Sequence, residues 1–210
     1  MTADTSGTIA LIDYGAGNLH SVHNALVKAG AANVVMTADP DVVARADRIV
    51  LPGVGAFRAC YDGLAALPGV IEAMHDAVHR RAVPFLGICV GMQLLADKGE
   101  EFGTHQGLGW IAGTVRRIEP AATDIKIPHM GWNAVISASP HALIEPGEAY
   151  FLHSYHFDAT NADDVVATTD HGGPLVAAVA RDTIIGAQFH PEKSQTYGLS
   201  FLSRFLNWKP

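Results

Sequence analysis

Apolar residues are spaced along this chain in two alternating rhythms. Thr8 to Ile12 is an apolar run of strand length that stops at Asp13-Tyr14-Gly15-Ala16-Gly17-Asn18, a stretch rich in turn formers. Leu19, Val22, Leu26 and Ala29 then recur at helical spacing until Gly30. The same unit of strand, loop and helix repeats. Asn33 to Thr37 predicts a strand, Asp39-Pro40-Asp41 opens a short helix, and Arg48 to Leu51 predicts a strand ending at Pro52-Gly53-Val54-Gly55. Helical patterns cover 57–66 and 69–81, and Pro84 to Ile88 predicts a strand that feeds a helix from Val90. Strands alternating with helices imply parallel pairing through crossover connections.

The rhythm changes after about residue 108. Ile111 to Ile118, Lys126 to Ile136, Ala149 to Leu152, Val165 to Thr169, Leu175 to Ala180 and Ile184 to Phe189 all read as strands, and antiparallel additions to the sheet are expected there. A last helix over Gly198 to Leu206 places Leu199, Leu202, Phe205 and Leu206 on one face. The fold class is therefore α/β, a mostly parallel doubly wound sheet with helices on both faces and antiparallel strands added in the C-terminal half. With no internal repeat or linker, the economical division is a flexible tail over 1–7 and one domain over 8–210.

Composition narrows the function classes. A chain of 210 residues that is 49% hydrophobic and 17% charged can bury a sizeable core, which excludes a disordered or fibrous protein. A formal charge of −7, with only 14 scattered Lys and Arg, argues against a nucleic-acid partner, since phosphate neutralisation needs clustered cations. The longest apolar runs, such as Val83 to Val90, are too short to cross a bilayer. The start, MTADTSGT, lacks the basic and apolar regions of a signal peptide, and only two cysteines occur, so a cytoplasmic location is expected. Small-molecule chemistry is the class that remains.

Cys89 stands in Gly87-Ile88-Cys89-Val90-Gly91, where a strand turns into a helix with glycine two positions to either side. This is the thiol form of the G-x-S-x-G nucleophile elbow. The turn is sharp and neighbouring backbones approach closely, while the start of the helix favours a thiolate. An arbitrary cysteine beside an apolar strand is usually a buried packing group, and Cys60, in an Ala-rich helical pattern, is assigned that reading. A cysteine nucleophile needs a base and a group to orient it. Gln188-Phe189-His190-Pro191-Glu192 follows the apolar strand Ile184 to Ala187, and catalytic groups of α/β sheets collect at carboxyl ends of strands. Pro191 stiffens the turn, so that Glu192 can bond the far nitrogen of His190 and set its tautomer.

Thiolate attack on an amide creates an oxyanion, which calls for backbone N–H donors. Pro52-Gly53-Val54-Gly55 follows another strand end and can supply one, although a plain βα turn reads the same way; Val90, after the nucleophile, supplies the other. His75 and His79 are spaced i, i+4 on a helix, but the Glu and third ligand of a zinc site are missing, and no metal is expected. There is no P-loop and no G-x-G-x-x-G, so no nucleotide cofactor is expected either.

Together these segments resemble class I, triad-type glutamine amidotransferases, whose elbow is G-(I/V)-C-x-G-x-Q and whose base segment is Q-F-H-P-E. They stand here as Gly87-Ile-Cys-Val-Gly-Met-Gln93 and Gln188-Phe-His-Pro-Glu192. Within that class, Asp13-Tyr-Gly-Ala-Gly-Asn-Leu19, Pro52-Gly-Val-Gly-Ala-Phe57, Pro128-His-Met-Gly-Trp-Asn133 and Phe151-Leu-His-Ser-Tyr155 are similar to the glutaminase subunits of imidazole glycerol phosphate synthases. The only departure is Val90, where leucine is common. The resemblance, which runs from about residue 8 to 207, implies L-glutamine as substrate. It makes Cys89 the nucleophile, His190 the proton carrier and Glu192 its orienting carboxylate, with Gln93 and Glu101 holding the substrate amino acid and Gly55 adding backbone contacts. It also implies that the Val54 peptide rearranges before the oxyanion hole is complete, so that hydrolysis follows the partner's ligand state.

The implied partner is a cyclase subunit with a (β/α)8-barrel fold that receives ammonia for histidine biosynthesis. Residues 13–19, including Asn18, and 129–133, including Met130 and Trp132, are expected to face it. For Met130 and Trp132, ordinary core packing is the competing reading. The length agrees, because after a glutaminase nothing remains to bind a phosphorylated sugar-nucleotide acceptor. Three alternatives stay open on the residues alone. They are a glutaminase serving anthranilate or guanylate synthesis, a flavodoxin-like scaffold with an unreactive or redox-sensing Cys89, and a cysteine peptidase.

Overall fold

A computed structural model describes residues 7–121 and 125–210. Residues 1–6 of the expected tail lie outside them. The chain runs β1 (Thr8–Ile12), α1 (Leu19–Lys28), β2 (Asn33–Thr37), α2 (Pro40–Arg45), β3 (Arg48–Gly53), α3 (Phe57–Ala65), α4 (Val70–His79), β4 (Phe85–Cys89) and α5 (Val90–Gln93). Two short strands follow, β5 (Lys98–Gly99) and β6 (His105–Gln106), then β7 (Gly113–Arg117), β8 (His129–Ser137), β9 (Gly147–His153) and β10 (Tyr155–Ala159). It ends with β11 (Val165–Asp170), β12 (Pro174–Arg181), β13 (Ile184–Ala187) and α6 (Gln195–Asn207).

Nine strands make the main sheet, in the order β2-β1-β3-β4-β13-β12-β11-β8-β9. The first five run parallel, as the alternating strands and helices require. Every residue of β4 and β13 is buried, the signature of strands covered on both faces. From β12 outward the pairing is antiparallel. No helix among the described residues is long and apolar enough to cross a membrane.

Three sequence expectations need adjustment. The Ile111 to Ile118 segment does not join the main sheet: β7 pairs with β10 and β5 in a separate sheet ordered β10-β7-β5-β6. Arg116 and Arg117 are exposed at its end, which a strand covered on both faces could not accommodate. β10 itself was not read from the sequence, because Tyr155-His-Phe-Asp-Ala159 has a single fully buried apolar residue, Phe157. In α6 the core face is Phe201, Leu202, Phe205 and Leu206, and Leu199 is only half buried.

The sheet order reverses direction at β1 and β3, and ligand sites of open α/β sheets lie outside the carboxyl ends of strands near such a point. Register sharpens this. Gly53, last in β3, pairs with Cys89, last in β4, and Ala187, last in β13, pairs with Ile88.

Candidate active site

Cys89 ends a buried strand and immediately precedes a single helical turn. Its backbone sits at φ 54 and ψ −110, a conformation that an L side chain adopts only under strain, of about 1–3 kcal/mol for a non-glycine residue. The glycines beside it permit this. A Cβ on Gly91 would be driven into the Leu51 carbonyl of β3, and one on Gly87 would meet the Gly91 carbonyl. With its backbone pressed so close to β3, the turn holds the cysteine at the strand end. Because α5 has only four residues, little macrodipole acts on the sulfur; what remains is the local N–H of Val90, which opens the helix and has no acceptor inside it.

A cavity of about 290 Å³ opens over Cys89. Its lining includes Val54, Gly55, Val90, Gln93, Glu101 and His190, so most of the residues singled out from the sequence meet in one place. Glu192 lies behind His190, its Oε1 2.9 Å from Nδ1, with both side chains 2% exposed. Ser194 fixes this turn, its hydroxyl donating to the His190 carbonyl at 2.6 Å and accepting from the Tyr150 N–H at 2.9 Å. Burial alone would lower the proton affinity of His190. Its hydrogen bonds and charge interactions with Cys89 and Glu192 outweigh that and push its pKa up to about 10. The cavity wall thus carries an imidazolium between sulfur and carboxylate near neutral pH.

After β3, the Val54 side chain is exposed and Gly55 has φ +105. The Cys60 thiol donates to the Val54 carbonyl at 3.4 Å, which gives this buried cysteine a role in shaping the loop. Being trans, that peptide turns the Gly55 N–H away from Cys60. Glu101 uses Oε2 to accept the Phe57 N–H at 2.7 Å, which caps α3. Gln93 is buried and donates through Nε2 to the Tyr155 carbonyl at 2.9 Å and to Gln188 Oε1 at 3.0 Å. Gln188 in turn points its own Nε2 at the Cys89 sulfur, 3.7 Å away.

Three residues expected to face a partner lie outside this lining. Asn18 precedes α1 on the surface, and Met130 and Trp132 are 64% and 48% exposed along β8, the strand that holds residues 129–133. Core packing is excluded for both Met130 and Trp132. The cavity also recruits residues to which the sequence assigned no role in the site: Pro128, Lys193, and Leu152 to Tyr155 at the β9–β10 corner. Phe151-Leu-His-Ser-Tyr155 was legible only as a family marker, because nothing in its pattern announces a corner. The His75 and His79 rings lie 4.6 Å apart, tilted at 46° to each other, and both meet Trp110 edge to face. No cluster of three or more His, Cys, Asp or Glu able to hold a metal occurs among the described residues.

The chain matches the glutamine amidotransferase class-I family over residues 10–207. It is 58% identical to "Imidazole glycerol phosphate synthase subunit HisH" of Zymomonas mobilis subsp. mobilis, with all of both chains covered. It is 56% identical to the subunit of the same name from Caulobacter vibrioides, over 97% of this chain and 99% of that one. Among solved structures, PurLQS from Thermotoga maritima superposes with a TM-score of 0.69 at 19% identity, covering 96% of this chain and 98% of the other, and so speaks for the fold. The chain belongs to the class-I glutamine amidotransferase family.

Proposed function

We propose that this chain hydrolyses L-glutamine to L-glutamate and ammonia at Cys89 and passes the ammonia to a separate cyclase subunit. It would thus be the glutaminase part of an imidazole glycerol phosphate synthase in histidine biosynthesis. The observation that carries the reading is the single cavity in which a strained cysteine faces an imidazole held by a buried carboxylate. The full-length likeness to subunits of that synthase selects this synthase over those of anthranilate or guanylate synthesis.

In this reading the Cys89 thiolate adds to the carboxamide carbon, forming a C–S bond and an oxyanion held by the Val90 N–H and a donor of the Val54–Gly55 segment. Imidazolium His190 gives its proton to the amide nitrogen, the C–N bond breaks, and ammonia leaves a thioester. Neutral His190 then takes a proton from water as the oxygen adds to the thioester carbon. Collapse breaks the C–S bond, releases glutamate and restores thiolate and imidazolium. Glu192 keeps the His190 proton on the correct nitrogen throughout. Gln93 Oε1 and the Glu101 oxygen not spent on Phe57 are the acceptors open to the substrate's α-ammonium group.

The cyclase, read as a (β/α)8 barrel from the resemblance, would dock over the face carrying Asn18, Met130 and Trp132, and the reaction needs no cofactor. Glutamate release is to be measured for the chain alone, with the cyclase, and with the cyclase plus its nucleotide ligand. Activity should rise sharply in the last case and vanish with Cys89→Ala. Equal rates in all three mixtures would refute the coupling to a cyclase.

A further inference from the structure

Two buried histidines, His153 in the cavity wall and His129 behind it, belong to no catalytic step. His129 is the first residue of β8 and His153 the last of β9, the two paired across the strands. They are 3% and 6% exposed. His129 Nδ1 lies 3.0 Å from His153 Nε2. His153 Nδ1 lies 2.8 Å from the Tyr155 carbonyl, and His129 Nε2 lies 3.0 Å from Asn133 Nδ2. The His129 ring is sandwiched between Phe151 and His171, at centroid distances of 4.7 and 4.2 Å.

The proton positions follow by elimination. A carbonyl only accepts, so His153 carries its proton on Nδ1. Burial, with the neighbouring histidines, lowers its pKa to about 3, so it is neutral and Nε2 is an acceptor. His129 must therefore donate from Nδ1. It too is neutral, lowered to about 4 by burial and by His171, which leaves its Nε2 to accept from Asn133. Asn133 is oriented independently, its Nδ2 donating to the Asp170 carbonyl at 2.7 Å and its Oδ1 accepting the Ala134 N–H at 2.8 Å. Every bond in the row has one donor and one acceptor, and they all point the same way.

The row ends on the Tyr155 carbonyl, which also accepts the Gln93 amide that bonds Gln188, whose Nε2 faces the Cys89 sulfur. We infer that His129 is a positioning residue: through His153 it fixes the Tyr155 carbonyl, and so the Gln93–Gln188 pair against which Cys89 is set. This rests on the reading of Cys89 as the nucleophile. Free neutral imidazole prefers its proton on Nε2, so without the His129 donor His153 can change tautomer, lose the Tyr155 bond and release the β9–β10 corner.

Two measurements test this on the full chain in complex with the cyclase. In 15N-histidine spectra of the wild type, both His129 and His153 should carry their proton on Nδ1; a proton on Nε2 of either would overturn the inference. Substitution then separates the two nitrogens of His129. His129→Asn keeps an amide donor near the Nδ1 position, whereas His129→Gln keeps a polar atom near Nε2 and takes the donor away from His153. Glutamine hydrolysis should lose about tenfold or more in kcat in His129→Gln, the effect of a buried group left unpaired. His129→Asn should stay within about threefold of wild type. Equal losses in both variants, or none in either, would refute the positioning role. A wild-type complex that releases no glutamate would instead sink the reading of Cys89, and the tautomers would still decide the hydrogen-bonded row.

Discussion

Replacing Glu192 with glutamine probes the charge behind His190 while nearly keeping its shape. The amide oxygen can still accept from Nδ1, at the 2.9 Å now spanned by Oε1. The negative charge is lost from a pair whose side chains are 2% exposed. At an effective dielectric of about 20, opposite charges about 4 Å apart attract by roughly 4 kcal/mol, or about a thousandfold in proton affinity. His190, now pushed up to about 10, should fall to roughly 7 in Glu192→Gln. Ammonia departure needs the imidazolium, so the alkaline limb of kcat/KM should move down with it. From the protonated fractions, wild type should exceed the variant about twofold at pH 7 and about a hundredfold at pH 9. Oε2 of Glu192 has no hydrogen-bond partner among the described residues, so the NH₂ that replaces it is no worse paired than the oxygen was, and thermal unfolding should report only the loss of the charge. Comparing rates at both pH values in folded protein separates the shift in His190 from any change in stability. A ratio that stays constant from pH 7 to 9 would refute the charge argument.

Cys89→Gly and Cys89→Ala should both abolish glutamine hydrolysis, but glycine relieves φ 54, and its thermal unfolding should show about 1–2 kcal/mol more stability than alanine. Gly91→Ala, with its Cβ directed into the Leu51 carbonyl, should cost several times the ~1 kcal/mol expected of an open site; an unchanged urea midpoint would contradict the close approach. His129 and His153, lowered to about 4 and about 3, take up protons more readily unfolded, so the stability they confer is present above pH 6.5 and lost as pH falls toward those values. The slope is up to about 1.4 kcal/mol per pH unit for each, while His190, protonated in both states below about pH 5.5, adds none there; urea midpoints unchanged between about pH 5.5 and 4.5 would count against two buried neutral histidines.

The parallel half of the fold was legible because each strand is an apolar run closed by a Gly- or Pro-rich turn, as at Pro52-Gly53 and Gly87 to Gly91. Those same turns set the Cys89 segment and the Val54–Gly55 loop side by side, since strands in parallel register deliver their carboxyl ends together. The antiparallel half was less legible. β10 has one fully buried apolar residue and follows β9 after Ser154 alone, so its period is too short to register, and the second sheet it builds with β7 went unseen. The wall residues at Leu152 to Tyr155 depend on that corner and could not be placed without it. The histidine row was illegible for a different reason: His129 and His153 stand 24 positions apart and meet only through strand register.

Gln93 and Glu101 show how little of this cavity is left to chance. Read from resemblance as substrate holders, both already serve the fold: Glu101 caps α3, and Gln93 ties the β9–β10 corner to Gln188. An amide or carboxylate whose rotamer is set by such a bond loses little further entropy when a ligand arrives. It also presents its remaining oxygen in one direction. On that reading either side chain does two tasks at once, and truncation should raise KM and lower stability together, whereas a residue held only for substrate would raise KM alone. Gln93→Glu separates the tasks for one of them. It retains an oxygen toward the cavity but replaces the donor to Tyr155 and Gln188 with a second acceptor, so its main loss should appear in kcat and stability, through displacement of the wall beside Cys89.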